Sequence, residues 1–219
     1  MTSPLINTVV IQFAKAPAFG KVKTRLQSVL TDVQRNELHC AMTAWTCQQL
    51  YHSGIAHREL WVDGDGGKDF FQQLKREFNC ELFSQVGNDL GERMKFAAER
   101  ALQKYDQVII VGSDCPFITP DYLVQAINAL VDYSTVFGPA DDGGYVLLGL
   151  RELETSLFGN IPWGGDRVLS TSVKRLESNS ESKPNSFRLL ESLADIDRPE
   201  DLSLLRDNNL PQALQKFAN

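Results

Sequence analysis

The stretch V-I-I-V-G-S-D-C-P, Val108 to Pro116, decides how the rest of the chain is read. Four apolar, mostly β-branched residues in a row, without polar alternation, read as a strand buried on both faces, the pattern of a central strand in a parallel sheet. Just beyond its carboxyl end stands Asp114, a carboxylate that is costly to enclose unless a cation or hydrogen-bond donors meet it. Upstream, Thr8 to Phe13 reads as a second buried strand, followed by a loop with Pro17 and Gly20 and a long helix from Thr31 to Leu50. Strands at Glu59 to Val62 and Cys80 to Phe83 alternate with helices at Asp69 to Phe78 and Leu90 to Tyr105. Downstream come a helix at Pro120 to Val131 capped by Thr119, strands at Ser134 to Phe137 and Tyr145 to Leu150, and a helix at Arg167 to Leu176. A polar stretch, Glu177 to Ser186, reads as a mobile surface loop, and a last strand and helix fall at Phe187 to Leu190 and Pro199 to Arg206. Strands separated by helices of this length predict right-handed crossovers and an α/β fold with a mainly parallel central sheet. Ligands of such sheets bind outside the carboxyl ends of the strands, so the residues just past each strand carry the functional argument.

The 219 residues suffice for one sizeable core, and a single domain over 1–219 is expected, with no internal repeat. A net charge of −6 disfavours nucleic-acid polymers and anionic membranes as partners. The N-terminus lacks a charged segment followed by an apolar one, and no apolar run would cross a bilayer. Cys40, Cys47, Cys80 and Cys115 form no Cys-x-x-Cys pair, which argues for reduced thiols in a cytoplasm and against a zinc site.

Four constellations carry chemistry. F-A-K-A-P-A-F-G-K-V-K-T-R-L, Phe13 to Leu26, concentrates Lys15, Lys21, Lys23 and Arg25 in the loop after the first strand of an acidic protein, and phosphates are the counter-ions such a local field attracts. Gly20 lets the backbone approach a ligand closely. The substring G-K-V-K-T is not a phosphate-binding P-loop, because the required glycine spacing and the Lys-Ser/Thr pair are missing; the dinucleotide fingerprint is absent too. In the second constellation Asp114 is a magnesium ligand or, more simply, a cap of the following turn. In the third, G-P-A-D-D-G-G-Y, Gly138 to Tyr145, the D-D-G-G string is a turn signal, and Asp141 or Asp142 could meet an acceptor or a base. In the fourth, L-A-D-I-D-R-P-E-D-L, Leu193 to Leu202, a capping box between Asp197 and Glu200 with Pro199 in the first turn accounts for Asp197 but leaves Asp195 unexplained; both could join Asp114 at one metal. A weaker fifth string, G-N-D-L-G-E-R-M, Gly87 to Met94, places Gly91 and Arg93 at a helix N-terminus, where phosphate or a nucleotide edge is attracted.

Together, F-x-K-x-P-x-x-G-x-V-K-T-R-L, L-G-E-R-M, G-S-D-C-P, G-P-A-D-D-G-G-Y and D-I-D-x-P-E-D-L resemble one family: the bacterial GT-A-fold, glycosyltransferase-like proteins related to 2-phospholactate guanylyltransferase and, more distantly, to molybdenum-cofactor guanylyltransferase, within the nucleotide-diphospho-sugar transferase superfamily. The resemblance runs from Phe13 to Leu202. It implies a Rossmann-like GT-A three-layer sandwich, a loop that cradles nucleotide phosphates with Lys15, Lys23 and Arg25, and Mg2+ (or Mn2+) held by Asp114, Asp195 and Asp197. One departure is plain: where the family often has Trp-Ser-Thr, this chain has Trp163-Gly164-Gly165-Asp166.

The expected activity is a metal-dependent transfer in which the cation bridges phosphate oxygens and the loop bases spread the developing charge. Asp114, Lys23 and Asp142 are the expected catalytic groups; Lys15, Gly20, Lys21, Lys23, Arg25, Gly91 and Arg93 are the expected nucleotide contacts. The family's usual label favours glycosyl transfer from a nucleotide-sugar to a small acceptor. The alternative is nucleotidyl transfer from a nucleoside triphosphate to a phosphorylated acceptor with release of pyrophosphate, and a third reading is a non-catalytic nucleotide-binding module. A homodimer is compatible with all three.

Overall fold

A computed structural model describes residues 7–179 and 186–218. Seven strands form one sheet: β1 (Thr8–Lys15), β2 (His57–Asp63), β3 (Glu81–Ser84), β4 (Gln107–Val111), β5 (Thr135–Pro139), β6 (Tyr145–Leu150) and β7 (Phe187–Leu189), in the order β3-β2-β1-β4-β6-β5-β7. Every neighbouring pair is parallel except the two that involve β6, which runs against both β4 and β5. The sheet is therefore mainly parallel, and the expected α/β Rossmann-like architecture is the one observed. β4 lies in the interior of the sheet with all five of its residues buried, as its unbroken apolar run requires.

The pleat sorts the core into two layers. Val9, Ile11, Phe13, Val108, Ile110 and Leu148 face one way, against α3 (Leu90–Leu102) and α5 (Val168–Asn179). Val10, Ile109, Val111, Val136 and Leu147 face the other, against α1 (Asp32–His52) and α4 (Pro120–Asp132). α2 (Lys68–Phe78) fills the β1–β2 side with Phe71, Leu74 and Phe78. The far side of α1 is covered by the chain's last segments, in which Ile196, Leu202, Leu205 and Leu214 meet Leu26, Leu38 and Met42. These segments include α6 (Gln212–Gln215), a short helix the hydrophobic pattern did not foretell.

Helix ends follow the capping residues. Thr31 opens α1 with a reciprocal box to Gln34, and Thr119 opens α4 with Pro120 at the first helical position. At the C-terminal segment the expectation is corrected. Pro199–Arg206 is a 3-10 helix, and Asp201, not Glu200, reaches back to the backbone N–H groups of Asp197 and Arg198. With Pro199 in the first turn, Asp201 is the residue at the third position, so Asp197 is freed for another partner. Residues 177–179 of the expected loop are helical; 180–185 of it lie outside the described residues. Among the described residues no helix is long and apolar enough to cross a membrane.

Candidate functional site

The carboxyl ends of β1, β2 and β4 and the amino end of β6 open onto one cleft of about 760 Å³. β6 is antiparallel, so its first residue, Tyr145, stands at the same edge of the sheet as the last residues of its neighbours. The D-D-G-G turn before it is thereby delivered to the ligand end of the fold.

The cleft floor is pinned from behind by a polar relay. Gln12 Nε2 donates to the Thr43 carbonyl and to Ser113 Oγ, at 3.0 and 2.9 Å, and Ser113 Oγ donates to the Phe13 carbonyl at 2.9 Å. This ties the end of β4 to β1 and α1 directly beneath Asp114. The backbone of Asp114 also receives the N–H of Ile196 at 2.9 Å, which lays the Asp195–Asp197 segment along the floor.

Lys23 occupies the centre. Its backbone is left-handed, with φ 49, and its side chain is almost wholly enclosed. The ammonium pairs with Asp114 Oδ1 at 2.7 Å and donates to the Ile196 carbonyl. A non-glycine residue in this conformation is held there by its surroundings; here one amine joins three distant stretches of chain. Enclosure by the cleft walls would by itself raise the Asp114 carboxyl. The Lys23 ammonium, with smaller help from His39 and Lys15, outweighs that and holds it below the ordinary carboxylate value.

The other expected bases are arranged unequally. Lys15 and Lys21 are exposed and line the cleft. Arg25 is paired with Asp197. Arg93 enters from the first turn of α3, pairs with Asp63 at the end of β2 and donates Nε to the Gly87 carbonyl at 3.1 Å. Gly20, at φ 73, lets the loop turn back toward Asp32 of α1 and, against expectation, does not itself line the cleft. Gly91 is not among the residues lining the cleft. It is buried, and a Cβ there would collide with the Phe158 carbonyl and stand 2.7 Å from Trp163 Nε1. Its role is to admit the Phe158–Trp163 loop against the start of α3. The α3 N-terminus is already capped, since Asp89 accepts from the Glu92 N–H at 2.8 Å.

On the opposite wall Asp142 lines the cleft, with Oδ1 accepting from the Gly144 N–H at 2.9 Å. Asp141 points elsewhere, to Ser192. Asp195 lies between Asp142 and Asp197: partial enclosure, then the charge of Asp142, then that of Asp197, push its carboxyl up to about 6 despite its own backbone hydrogen bond and the nearby Lys23. Among the described residues no three His, Cys, Asp or Glu side chains are grouped closely enough to enclose a metal ion. The expected trio is accordingly divided, with Asp114 held by Lys23, Asp197 by Arg25, and Asp195 facing Asp142.

Cleft residues that were not foreseen include His39, Asp63, Gln85, Tyr145 and Trp163. His39 Nε2 donates to the Lys15 carbonyl at 2.9 Å, and burial keeps its pKa below the ordinary value against the help of that carbonyl and of Asp114. Gln85 Nε2 donates to the carbonyls of Ala14 and Trp61 at 3.2 and 2.9 Å. Tyr145 and Trp163 meet edge to face, 6.4 Å between ring centres. Asp63 ends β2 as Asp114 follows β4, so the strand-end rule could have found it; a histidine midway along a helix gives no such signal.

Solved structures of this shape exist. A protein provisionally assigned as a nucleotide-diphospho-sugar transferase, from Desulfovibrio desulfuricans G20, shares 28% identity and superimposes with a TM-score of 0.84, covering 97% of this chain and 95% of its own. A cytidylyltransferase from Leptospira borgpetersenii shares 15% identity, with a TM-score of 0.61 over 97% of this chain and 92% of its own. Glucosyl-3-phosphoglycerate synthase from Mycobacterium tuberculosis, solved with Mn2+, uridine diphosphate and glucosyl-3-phosphoglycerate, shares 10% identity, with a TM-score of 0.55 over 97% of this chain and 80% of its own. The last two likenesses concern the fold alone. No curated protein matches the sequence. Residues 46–165, over half the chain, match the family described as "Uncharacterized protein conserved in bacteria (DUF2064)", and the chain belongs to that family.

Proposed function

We propose that this protein is a metal-dependent glycosyltransferase that moves a sugar from a nucleotide-sugar to a small acceptor. The observation that carries the reading is the meeting of a basic wall and an acidic wall across the Lys23–Asp114 pair at the carboxyl end of the sheet. Lys23, Arg25 and Arg93 are each held by a carboxylate, which leaves Lys15 and Lys21 as the loop's bases without an ion pair among the described residues. Two lysines offset the two negative charges on the diphosphate of a nucleotide-sugar, and a divalent cation would take up the further charge that develops as the sugar leaves.

A hard cation does not need all three of the expected carboxylates. Asp195 and Asp114 border the same floor, and Asp195 is a carboxylate enclosed beside two others, an environment that a divalent ion relieves. Magnesium accepts one or two carboxylates and completes its shell with phosphate oxygens and water. When bound, the ion would supply charge neutralisation on the leaving diphosphate. The protein's own groups do the rest. Lys15 and Lys21 hold the outer phosphate oxygens, and Lys23 keeps Asp114 ionised and in place. Asp142, fixed through Oδ1, presents its other oxygen to the acceptor hydroxyl. That hydroxyl oxygen bonds to the anomeric carbon as the sugar–phosphate bond breaks. The electron pair leaves on the diphosphate, and the proton passes to Asp142.

Incubation with Mn2+ and panels of nucleotide-sugars and nucleoside triphosphates, read by titration calorimetry and product analysis, tests this. The expected result is cation-dependent binding of a nucleotide-sugar, weakened about 10–100-fold by Asp195→Asn. Release of pyrophosphate from a triphosphate would replace glycosyl by nucleotidyl transfer; no nucleotide binding at all would end the reading.

A further inference from the structure

The two walls of the cleft differ in more than sign, and the difference bears on what the acceptor is. All of the arginines and lysines that line the cleft come from the end of β1, the loop after it, or α3. The opposite wall is built from the Asp142–Tyr145 turn, the Trp163–Gly165 loop, Val168 and the Asp195–Asp197 segment. Among the described residues lining that wall there is no lysine, arginine or histidine. Asp142 and Asp195 both line it, near enough for the charge of one to bear on the other, and Lys23 and Arg25 are bound to Asp114 and Asp197. With Asp195 given to the cation, Asp142 is the charge that remains toward the acceptor, and a phosphate ester or a carboxylate beside it would meet a like charge and no charged side-chain donor on this wall.

What the wall does offer is an aromatic corner. Trp163 and Tyr145 are set at 87° to one another. Two close backbone approaches fix the corner. Gly91 admits the loop that carries Trp163, and Gly143, at φ 90, admits the Asp166 carbonyl, with which any Cβ would collide. Leu169 N–H then donates to the Gly143 carbonyl at 3.0 Å and clamps the start of α5 onto the same turn. Beside the indole, Gly164 lines the cleft at φ 79, and the place a Cβ would occupy is open space. Gly164 thus leaves room, and no side-chain donor, next to the ring.

We infer that this half of the cleft binds a neutral polyhydroxylated acceptor, a sugar or polyol, and discriminates against its phosphate esters. The C–H face of the acceptor lies against Trp163 and Tyr145, and its reacting hydroxyl donates to Asp142. Apolar carbon faces pack on aromatic rings, and hydroxyls, unlike phosphates, can donate to carboxylates. The inference rests on the transferase reading only in assigning the opposite wall to the nucleotide.

Trp163 provides its own probe. The chain has three tryptophans; Trp61 is buried in the core, and Trp45 is tied to the Pro116 carbonyl. Emission is followed while the protein is titrated with sorbitol, glucose and their 6-phosphates. The titrations run without nucleotide and again with Mn2+ and each of UDP, GDP, CDP and ADP. A saturable change with at least one neutral compound, absent in Trp163→Phe, is expected, with the matching 6-phosphate about tenfold weaker, the effect of one like charge about 3 Å away in a water-filled cleft. Asp142→Asn should weaken the neutral compound and narrow that ratio, which serves as the check if Trp163→Phe does not fold. Equal or tighter binding of the 6-phosphates, a signal that survives Trp163→Phe, or no saturation by any compound would overturn the inference. Calorimetry of the nucleotides on the same samples separates the two claims. Polyol binding without nucleotide binding sinks the transferase and leaves the subsite, whereas nucleotide binding with preferred 6-phosphates does the reverse.

Discussion

The basic and acidic walls are both made of irregular chain at the same edge of one sheet, yet they are held by different physics. The Lys15–Arg25 side is pinned by ion pairs: Lys23 on Asp114 and Arg25 on Asp197. The Asp142–Asp166 side is pinned by steric fit, through glycines at which two backbones come too close for any side chain. Polar pins fail gradually as pairs are removed, whereas a close backbone approach fails at once when a single methyl is added.

The largest effect is therefore expected from Gly143→Ala, which combines a collision with the Asp166 carbonyl and a positive φ that alanine tolerates poorly. A loss of about 3 kcal/mol is expected, which calorimetry would register as a fall of about 6–12 °C in Tm, accompanied by altered Trp163 emission. Gly91→Ala should act in the same way on the same loop. A smaller response would mean that the acidic wall yields more easily than its contacts imply.

Next comes Lys23→Met. Asp114 would lose its partner, but with 55% of its side chain exposed it keeps access to water. The cost is therefore set at about 2 kcal/mol, below that of a fully buried broken pair. Adding Asp114→Asn should recover part of it, and a double-mutant cycle would show the coupling.

The pH dependence of stability should separate the walls by sign. Asp195 titrates at about 6 in the fold against an ordinary 3.8, so the folded chain binds more protons in that window and stability falls as pH rises through it. His39, held below its ordinary 6.5, works the opposite way: stability is lost as pH falls below 6.5. Denaturation of Asp195→Asn and His39→Asn against the parent, from pH 4 to 8, should remove one slope each. The smallest effect belongs to Arg25→Ala, whose half-exposed pair with Asp197 is worth at most about 1 kcal/mol and should fade with added salt.

Much of the fold was legible because it depends on local signals. The unbroken apolar run of β4, the threonine caps of α1 and α4 and the proline after Thr119 each act within a few residues, and each appears where it was read. The positions of Asp114 and the loop bases at the ligand edge were legible for a related reason, since the carboxyl end of a strand is a sequence position, whereas Asp195 stood out because the capping pattern left it unexplained. What could not be read was pairing between distant segments. Nothing near Lys23 announces that its amine is spent on residues far along the chain, or that Asp197 answers to Arg25 and leaves Asp201 to cap the following turn. Gly91 looked like a nucleotide contact for the same reason: the loop that crowds it lies in a different part of the sequence.

The backbone link from Ile196 to Asp114, together with the bridge between Ala140 and Leu193, has a consequence for biosynthesis. The five strands from β1 to β5 and the hairpin to β6 can pair as they are made. The floor carboxylates face each other only once the segment beyond Leu193 has been translated and laid across the finished sheet. A chain stalled on the ribosome before that point would display the lysine-rich mouth opposite the Asp142 turn and the Trp163 loop but without Asp195 and Asp197, able to hold anions loosely but not to act on them.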